Sequence, residues 1–216
     1  MSAKTRYAAM SRRAAMTAAA LTAMVALAGC NSGGPGGAAE GDMALGAPEG
    51  AKVTVIEYAS VTCHVCAAWQ AENWEAFKKA YVDTNKVRYV FREIPTPPAE
   101  IATAGFLIAR CAGADKYFDV VHELLATQEE MRVDPRATLF RVGNGAGLSN
   151  ERIQQCITDE DGMAAVEKRA QEAYSAGVEG TPTFFVNGTK VITPGSQSGT
   201  SMADLSKAID AELAKN

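Results

Sequence analysis

Residues 63–66 read Cys-His-Val-Cys, within the stretch ASVTCHVCAAW (59–69). Two cysteines two residues apart can hold a metal, staple a structure or exchange electrons. A structural zinc site takes about four Cys or His ligands, usually as two spaced pairs. This chain has one such pair and only two histidines, His64 inside the motif and His122 far from it, so no metal is expected. A disulfide across two residues closes too short a loop to stabilise much. Its placement supplies another reason: it follows an apolar run and opens a helical pattern. A cysteine at a helix N-terminus meets unpaired backbone N–H groups and the positive end of the helix dipole. Such surroundings lower a thiol pKa from about 8.5 into a range of about 3.5–7.5. Cys66, three residues on, shares the helix face of Cys63 and can attack a mixed disulfide formed there. Thiol–disulfide exchange is the chemistry these residues suit. His64 is a candidate redox-tuning residue, because an imidazole beside the thiolate stabilises the reduced pair. The alternative is a histidine turned to solvent.

Positioning these groups requires a strand before the motif and a helix after it. Residues 52–58 (KVTVIEY) are short and β-branched, as in a buried strand. Ser60 and Thr62 are candidate helix caps. From Cys63 to about Tyr81, Ala67, Ala71, Trp74, Phe77 and Tyr81 form one helical stripe, and the aromatic residues there are expected to be core. Residues 87–94 (VRYVFREI) read as a second strand, ended by Pro95, Pro97 and Pro98. Helical patterns then occupy 99–111, 115–127, 135–142, 150–158 and 162–176, with Asp134-Pro135 as a cap followed by a first-turn proline. Residues 183–186 and 190–193 read as strands joined by Asn187-Gly188, a strong hairpin signal, and a last helix spans about 201–214. Two strands linked through a helix should pair in parallel. The fold class is therefore α/β, a small mixed sheet interrupted by a helical subdomain.

Composition bounds the function. The 216 residues are 47% apolar and 21% charged, as in an ordinary globular protein. Residues 1–30 hold four of the 21 basic residues and no acidic one. The remainder has 17 basic against 25 acidic residues, a net charge of −8 that argues against nucleic acid. The N-terminus couples Ser11-Arg12-Arg13 to an apolar run over 14–28 and then Leu27-Ala28-Gly29-Cys30. That run is short of the roughly 20 residues of a membrane span and suits an export signal. Leu-Ala-Gly-Cys resembles the lipobox of bacterial lipoproteins, which implies a signal peptide over 1–29 and lipidation of Cys30. Residues 30–50, rich in Gly, Ala and Pro, are expected to form a flexible tether. Lipid on Cys30 would leave an even number among the five cysteines, in a compartment where disulfides persist.

The order of IEYASVTCHVC (56–66), a helical block and GTPTFFVNG (180–188) resembles the DsbA-like branch of the thioredoxin superfamily. The resemblance covers nearly all of 51–214. It implies a thioredoxin-like fold with an inserted helical subdomain: a first part over 51–97, the insertion over 98–177 and a second part over 178–216. It implies that Cys63 is the nucleophilic and Cys66 the resolving cysteine. Thr181-Pro182 would be a cis-proline loop packed on the disulfide, whose backbone pairs with an extended substrate. Glu57 stands six residues before Cys63, where the family often has a buried acid. Its raised pKa would let it take the proton of Cys66, unless it is a strand-edge residue in water. Cys111 and Cys156, in the helical block, are expected to form a structural disulfide rather than remain buried thiols. The best-known members of that family carry Pro-His between their cysteines where this chain has His-Val. The function expected is a membrane-tethered oxidoreductase that forms disulfides in exported proteins, with isomerase or reductase activity, or non-catalytic peptide binding, as alternatives. No cofactor is implied. Its partners would be unfolded exported proteins and a membrane redox protein, either a quinone-linked oxidase or a reductant. The expected location is the periplasmic side of a bacterial membrane, and the expected state a monomer.

Overall fold

Alternation within TVIEYA decides which side of the sheet each residue faces. The computed structural model describes residues 37–196 and 199–215. Strand β2, Thr54–Ala59, sends Val55 and Ala59 into one buried cluster, with Tyr89, Phe91, Phe184 and Val186. Ile56 and Tyr58 enter a second cluster, with Val90, Ile94, Phe185, Ala170 and Ala173. Both faces are covered, which is why the strand reads as a nearly unbroken apolar run. Glu57 shares the face of Val55 and Ala59, and so lies inside the first cluster's side of the sheet.

Strand β3, Arg88–Glu93, pairs in parallel with β2, as the helical link between them requires. Strand β4, Thr183–Val186, pairs antiparallel on the other side of β2. It turns through Asn187 and Gly188, both at positive φ, into the short β5, Thr189–Lys190. Residues 191–193, expected to continue that strand, instead enter a loop.

The tether expected over 30–50 is corrected in its second half. Met43–Gly46 forms strand β1, antiparallel on β3 and completing the order β1-β3-β2-β4-β5. An edge strand needs partners on one side only, and Met43 and Leu45 pack against the first cluster. Gly46 is required there: at φ +79° a Cβ would meet the Val87 carbonyl oxygen at 2.5 Å. Arg92 secures the approach to β1, with Asp42 in a bidentate pair at 2.9 Å, the Tyr58 hydroxyl at 2.9 Å and the Gly37 carbonyl at 2.6 Å. The signal expected over 1–29 and the lipidation expected at Cys30 lie outside the described residues.

Helix α1, His64–Phe77, continues through a π-helical turn, Lys78–Val82. Trp69, Trp74, Phe77 and Tyr81 are all buried on its inner face, as expected. Burial of each such ring contributes about 1.5–3 kcal/mol. Between β3 and β4 run α2 (Ala99–Cys111), α3 (Ala114–Ala126), α4 (Gln128–Val133), α5 (Pro135–Gly145), α6 (Asn150–Ile157) and α7 (Glu160–Ser175). Asp134 caps α5 by accepting from the Ala137 amide at 3.0 Å, ahead of Pro135. Helix α4 had no separate sequence signal, being a single polar turn anchored by buried Met131. Helix α8, Met202–Ala214, closes the chain against β4.

The helical block is tied to the sheet by a buried carboxylate. Glu93, at the end of β3, accepts from Arg110 at 2.6 Å, Arg169 at 2.6 and 3.0 Å and the Tyr117 hydroxyl at 3.0 Å. One side chain thus joins β3 to α2, α3 and α7. The Cys111–Cys156 disulfide joins α2 to α6, in agreement with the pairing expected.

Candidate active site

Helix α1 begins at a sulfur. Cys63, extended at φ −83° and ψ 113°, is its N-cap, and its Sγ accepts the Cys66 amide at 3.2 Å. Ser60 and Thr62 do not cap the helix, which corrects the expectation above. They brace the preceding loop instead: the Thr62 hydroxyl donates to the Thr96 carbonyl at 2.8 Å, and the Thr96 amide donates to Ser60 Oγ at 3.2 Å.

Cys63 and Cys66 are both free thiols in this structure, and both are buried. The Cys63 pKa is lowered from 9.0 to about 6. The Cys66 thiol donates to it first of all, and the Thr181 hydroxyl and the backbone N–H groups of Cys66 and Val65 add to this against the cost of burial. The Cys63 thiol also donates to the Thr181 carbonyl at 3.3 Å. That carbonyl favours the protonated sulfur, and the donors outweigh it. Cys66 moves the opposite way: burial, then its bond to Cys63, push its pKa well up. Two thiols three residues apart are therefore unequal, one a ready thiolate and the other holding its proton.

Glu57 is 2% exposed, so the strand-edge alternative is set aside. Its carboxyl accepts the Tyr89 hydroxyl at 2.5 Å. Its pKa is raised from 4.5 to about 7, by burial first, with Tyr89 pulling down and the Cys63 charge pushing up. Its charge also acts on Cys66, which places the acid and the resolving sulfur in one electrostatic unit.

The Thr181–Pro182 peptide is cis, as the resemblance implied; so is Pro97–Pro98, which sequence reasoning missed. Pro182 is held from behind. Gly199, at φ +83°, lies so close that a Cβ there would meet Pro182 Cγ at 3.2 Å. The neighbouring Thr200 carbonyl accepts the buried Trp69 indole N–H at 2.9 Å. One turn after the second cysteine, α1 thus also fixes the loop behind the proline.

His64 is exposed and makes no hydrogen bond to either sulfur. His122 packs edge-on against Trp74, ring centres 4.4 Å apart, its Nε2 unpartnered among the described residues and its pKa lowered by burial to about 4. Among the described residues no three His, Cys, Asp or Glu side chains group as a metal site requires. Gln128 is a site residue that sequence reasoning missed. Its Nε2 donates to the carbonyls of Val61 at 2.8 Å and Cys63 at 3.0 Å.

A profile of the family described as Thioredoxin matches residues 38–211. A provisionally named protein-disulfide oxidoreductase of Rickettsia typhi is 32% identical over 176 residues, 80% of this chain. The chain spans 62% of that relative's length. The crystal structure of alpha-DsbA1 from Wolbachia pipientis superposes with a TM-score of 0.71 at 23% identity, covering 82% of this chain and 93% of that one. Oxidised BdbD from Bacillus subtilis does so with 0.72 at 19% identity, covering 84% and 98%.

Proposed function

Because this chain belongs to the thioredoxin family, we propose that it is a DsbA-like oxidoreductase that forms disulfides in exported proteins through Cys63 and Cys66. A substrate thiolate attacks Cys63 Sγ, the Cys63–Cys66 bond breaks, and Cys66 leaves as a thiolate that takes a proton from Glu57. The second substrate thiolate then attacks the substrate sulfur of the mixed disulfide and expels Cys63. Two electrons have passed from the substrate dithiol to the protein. A membrane redox partner, in this reading a quinone-linked oxidase, removes them. Thr181, whose carbonyl meets the reacting sulfur at 3.3 Å, leads into the cis-Pro182 loop, whose backbone would pair with the extended substrate.

The observation that carries this reading is the lowered Cys63 pKa beside the raised one of Cys66. A stabilised thiolate favours the reduced protein, and so makes its disulfide an oxidant. It also makes Cys63 the better leaving group. This supports formation over reduction or isomerisation even though His-Val replaces Pro-His, and even though His64 is turned outward.

The test is equilibration of Cys63–Cys66 with glutathione, alongside oxidation of a reduced, unfolded dithiol protein. A strongly oxidising potential with turnover lost in Cys63→Ser supports the proposal. A value near that of a reducing thioredoxin, about −270 mV, overturns the direction. Unchanged substrate oxidation in Cys63→Ser overturns the site.

We also propose that the chain acts at the periplasmic face of a bacterial membrane, anchored through lipid on Cys30. Leu27-Ala28-Gly29-Cys30 after an apolar run supports this. Labelling with a radioactive fatty acid should mark the wild type and not Cys30→Ala; equal labelling overturns the anchor.

A further inference from the structure

Gln128 stands first in α4, within the helical block, yet both hydrogens of its amide are spent on the thiol loop. They reach the carbonyls of Val61 and Cys63, across 67 and 65 residues of chain. These bonds do distinct work. The Cys63 carbonyl already accepts the Ala67 amide at 3.1 Å, the first bond of α1, and Gln128 supplies its second donor. For the Val61 carbonyl, Gln128 is the hydrogen-bond donor seen among the described residues. Buried carbonyls are seldom left unpaired, so this contact belongs to the loop's design.

Orientation follows from the first bond. The Cys63 carbonyl fixes the peptide plane between Cys63 and His64. The N–H groups of Val65 and Cys66, which hold the Cys63 sulfur, follow directly from that plane. A loosened plane would let these donors drift from the sulfur. Charge follows from the second bond. Both carbonyls belong to the loop that carries a sulfur which must bear negative charge, and both accept from the one amide. The Gln128 amide offsets both. Met131, 3% exposed and in the same cluster as Cys63 and Cys66, holds α4 so that the amide has little freedom.

We infer that Gln128 is a positioning residue for the nucleophile: its paired bonds to the Val61 and Cys63 carbonyls hold the N–H groups that stabilise the Cys63 thiolate, so the helical block sets the reactivity of the cysteine pair. This rests on the exchange reaction proposed above and adds a part to it. The helical block then does more than shape a surface, because one of its side chains completes the thiolate site from outside the strand and helix that carry the motif.

The test compares full-length wild type with Gln128→Ala and Gln128→Glu. The Cys63 pKa is read from thiolate absorbance and the redox equilibrium from glutathione titration, with thermal unfolding as a control. Gln128→Ala should raise the Cys63 pKa by about half a unit or more. It should also make the pair less oxidising by threefold to tenfold in the glutathione equilibrium constant, about 15–30 mV. Gln128→Glu, close in shape to Gln, should shift both quantities further the same way, because its carboxylate adds negative charge beside the carbonyls and the sulfur. A purely structural role would move the unfolding temperature and leave the pKa and potential alone, and that result overturns the inference. Variants that match wild type in pKa and potential, while wild type itself exchanges with glutathione, overturn only the role of Gln128. A wild type that shows neither an acidic Cys63 nor exchange overturns the proposed function itself.

Discussion

Cys66 donates its backbone N–H to the sulfur of Cys63 at 3.2 Å, and its thiol is the strongest single donor to the same atom. The resolving residue is therefore also what makes the nucleophile acidic. A lowered thiol pKa means that the thiolate is present above about pH 6 and is lost as pH falls through that value. Alkylation of the reduced protein should follow Cys63 with a midpoint near pH 6, and leave Cys66 unmodified at neutral pH. Cys66→Ser keeps a side-chain donor and should hold the midpoint near its wild-type place. Cys66→Ala should move it up toward the ordinary thiol range, about 8.5. Equal midpoints in the two variants would contradict the assignment.

Glu57 has its pKa raised from 4.5 to about 7 by burial, so the folded protein holds a proton there that the unfolded chain releases. Stability contributed by this group is full below about pH 4.5 and falls as pH rises toward 7, by up to about 1.4 kcal/mol per pH unit. Cys63 acts with the opposite sign between about pH 6 and 9. The difference between wild type and Glu57→Gln removes that common part. The variant should gain on wild type between pH 5 and 7.5 in urea unfolding of the reduced form, while its exchange with substrate slows. A pH-independent difference would place the carboxyl in water.

A Cβ at Gly199 would sit tightly against Pro182, 3.2 Å from its Cγ, and the positive φ disfavours a side chain there. Gly199→Ala should cost about 1 kcal/mol or more and push against Pro182. Oxidation of a protein substrate should slow more than exchange with glutathione, because only the larger partner needs the proline loop. Equal slowing of both would argue that the loop serves the sulfurs alone.

Glu93 balances Arg110 and Arg169 in a buried site. Glu93→Ala leaves two guanidinium groups without their shared partner and should destabilise by about 3–5 kcal/mol. Calorimetry should show this loss with little change in the Cys63 pKa. A shift of that pKa by a full unit would mean that the network reaches the site.

The Cys111–Cys156 bond closes a separation of 45 residues. Replacing both cysteines with Ala should cost about 3–4 kcal/mol by the chain-entropy relation, and leave glutathione exchange at Cys63 in place. Full retention of stability would assign the bond another purpose.

What could be read in advance was local. Cys63 and Cys66, Thr181-Pro182 and Asn187-Gly188 are short signals whose residue types carry their own geometry, and Glu57 shows as a charge inside an apolar strand. Gln128 sits in the polar stretch ATQEEMR and resembles any surface glutamine, since its meaning depends on carbonyls more than 60 residues away. Glu93 reads as a strand-end charge, and its partners stand 17, 24 and 76 residues further on. Strand β1 escapes because four residues flanked by glycine give too few alternations to count, and what holds it in place is Arg92 on another strand. Local chemistry is visible in a sequence; partners that meet only through the fold are not.

The capture of 37–46 by β3 and Arg92 sets a length scale. From Cys30 to Gly37 only residues 31–36 intervene, and at about 3.5 Å per residue they reach roughly 20–25 Å when fully extended. A free chain out to residue 50 would reach about 70 Å. With lipid on Cys30, the domain could not patrol the compartment on a long leash. Gly37 would then stay within roughly 25 Å of that lipid.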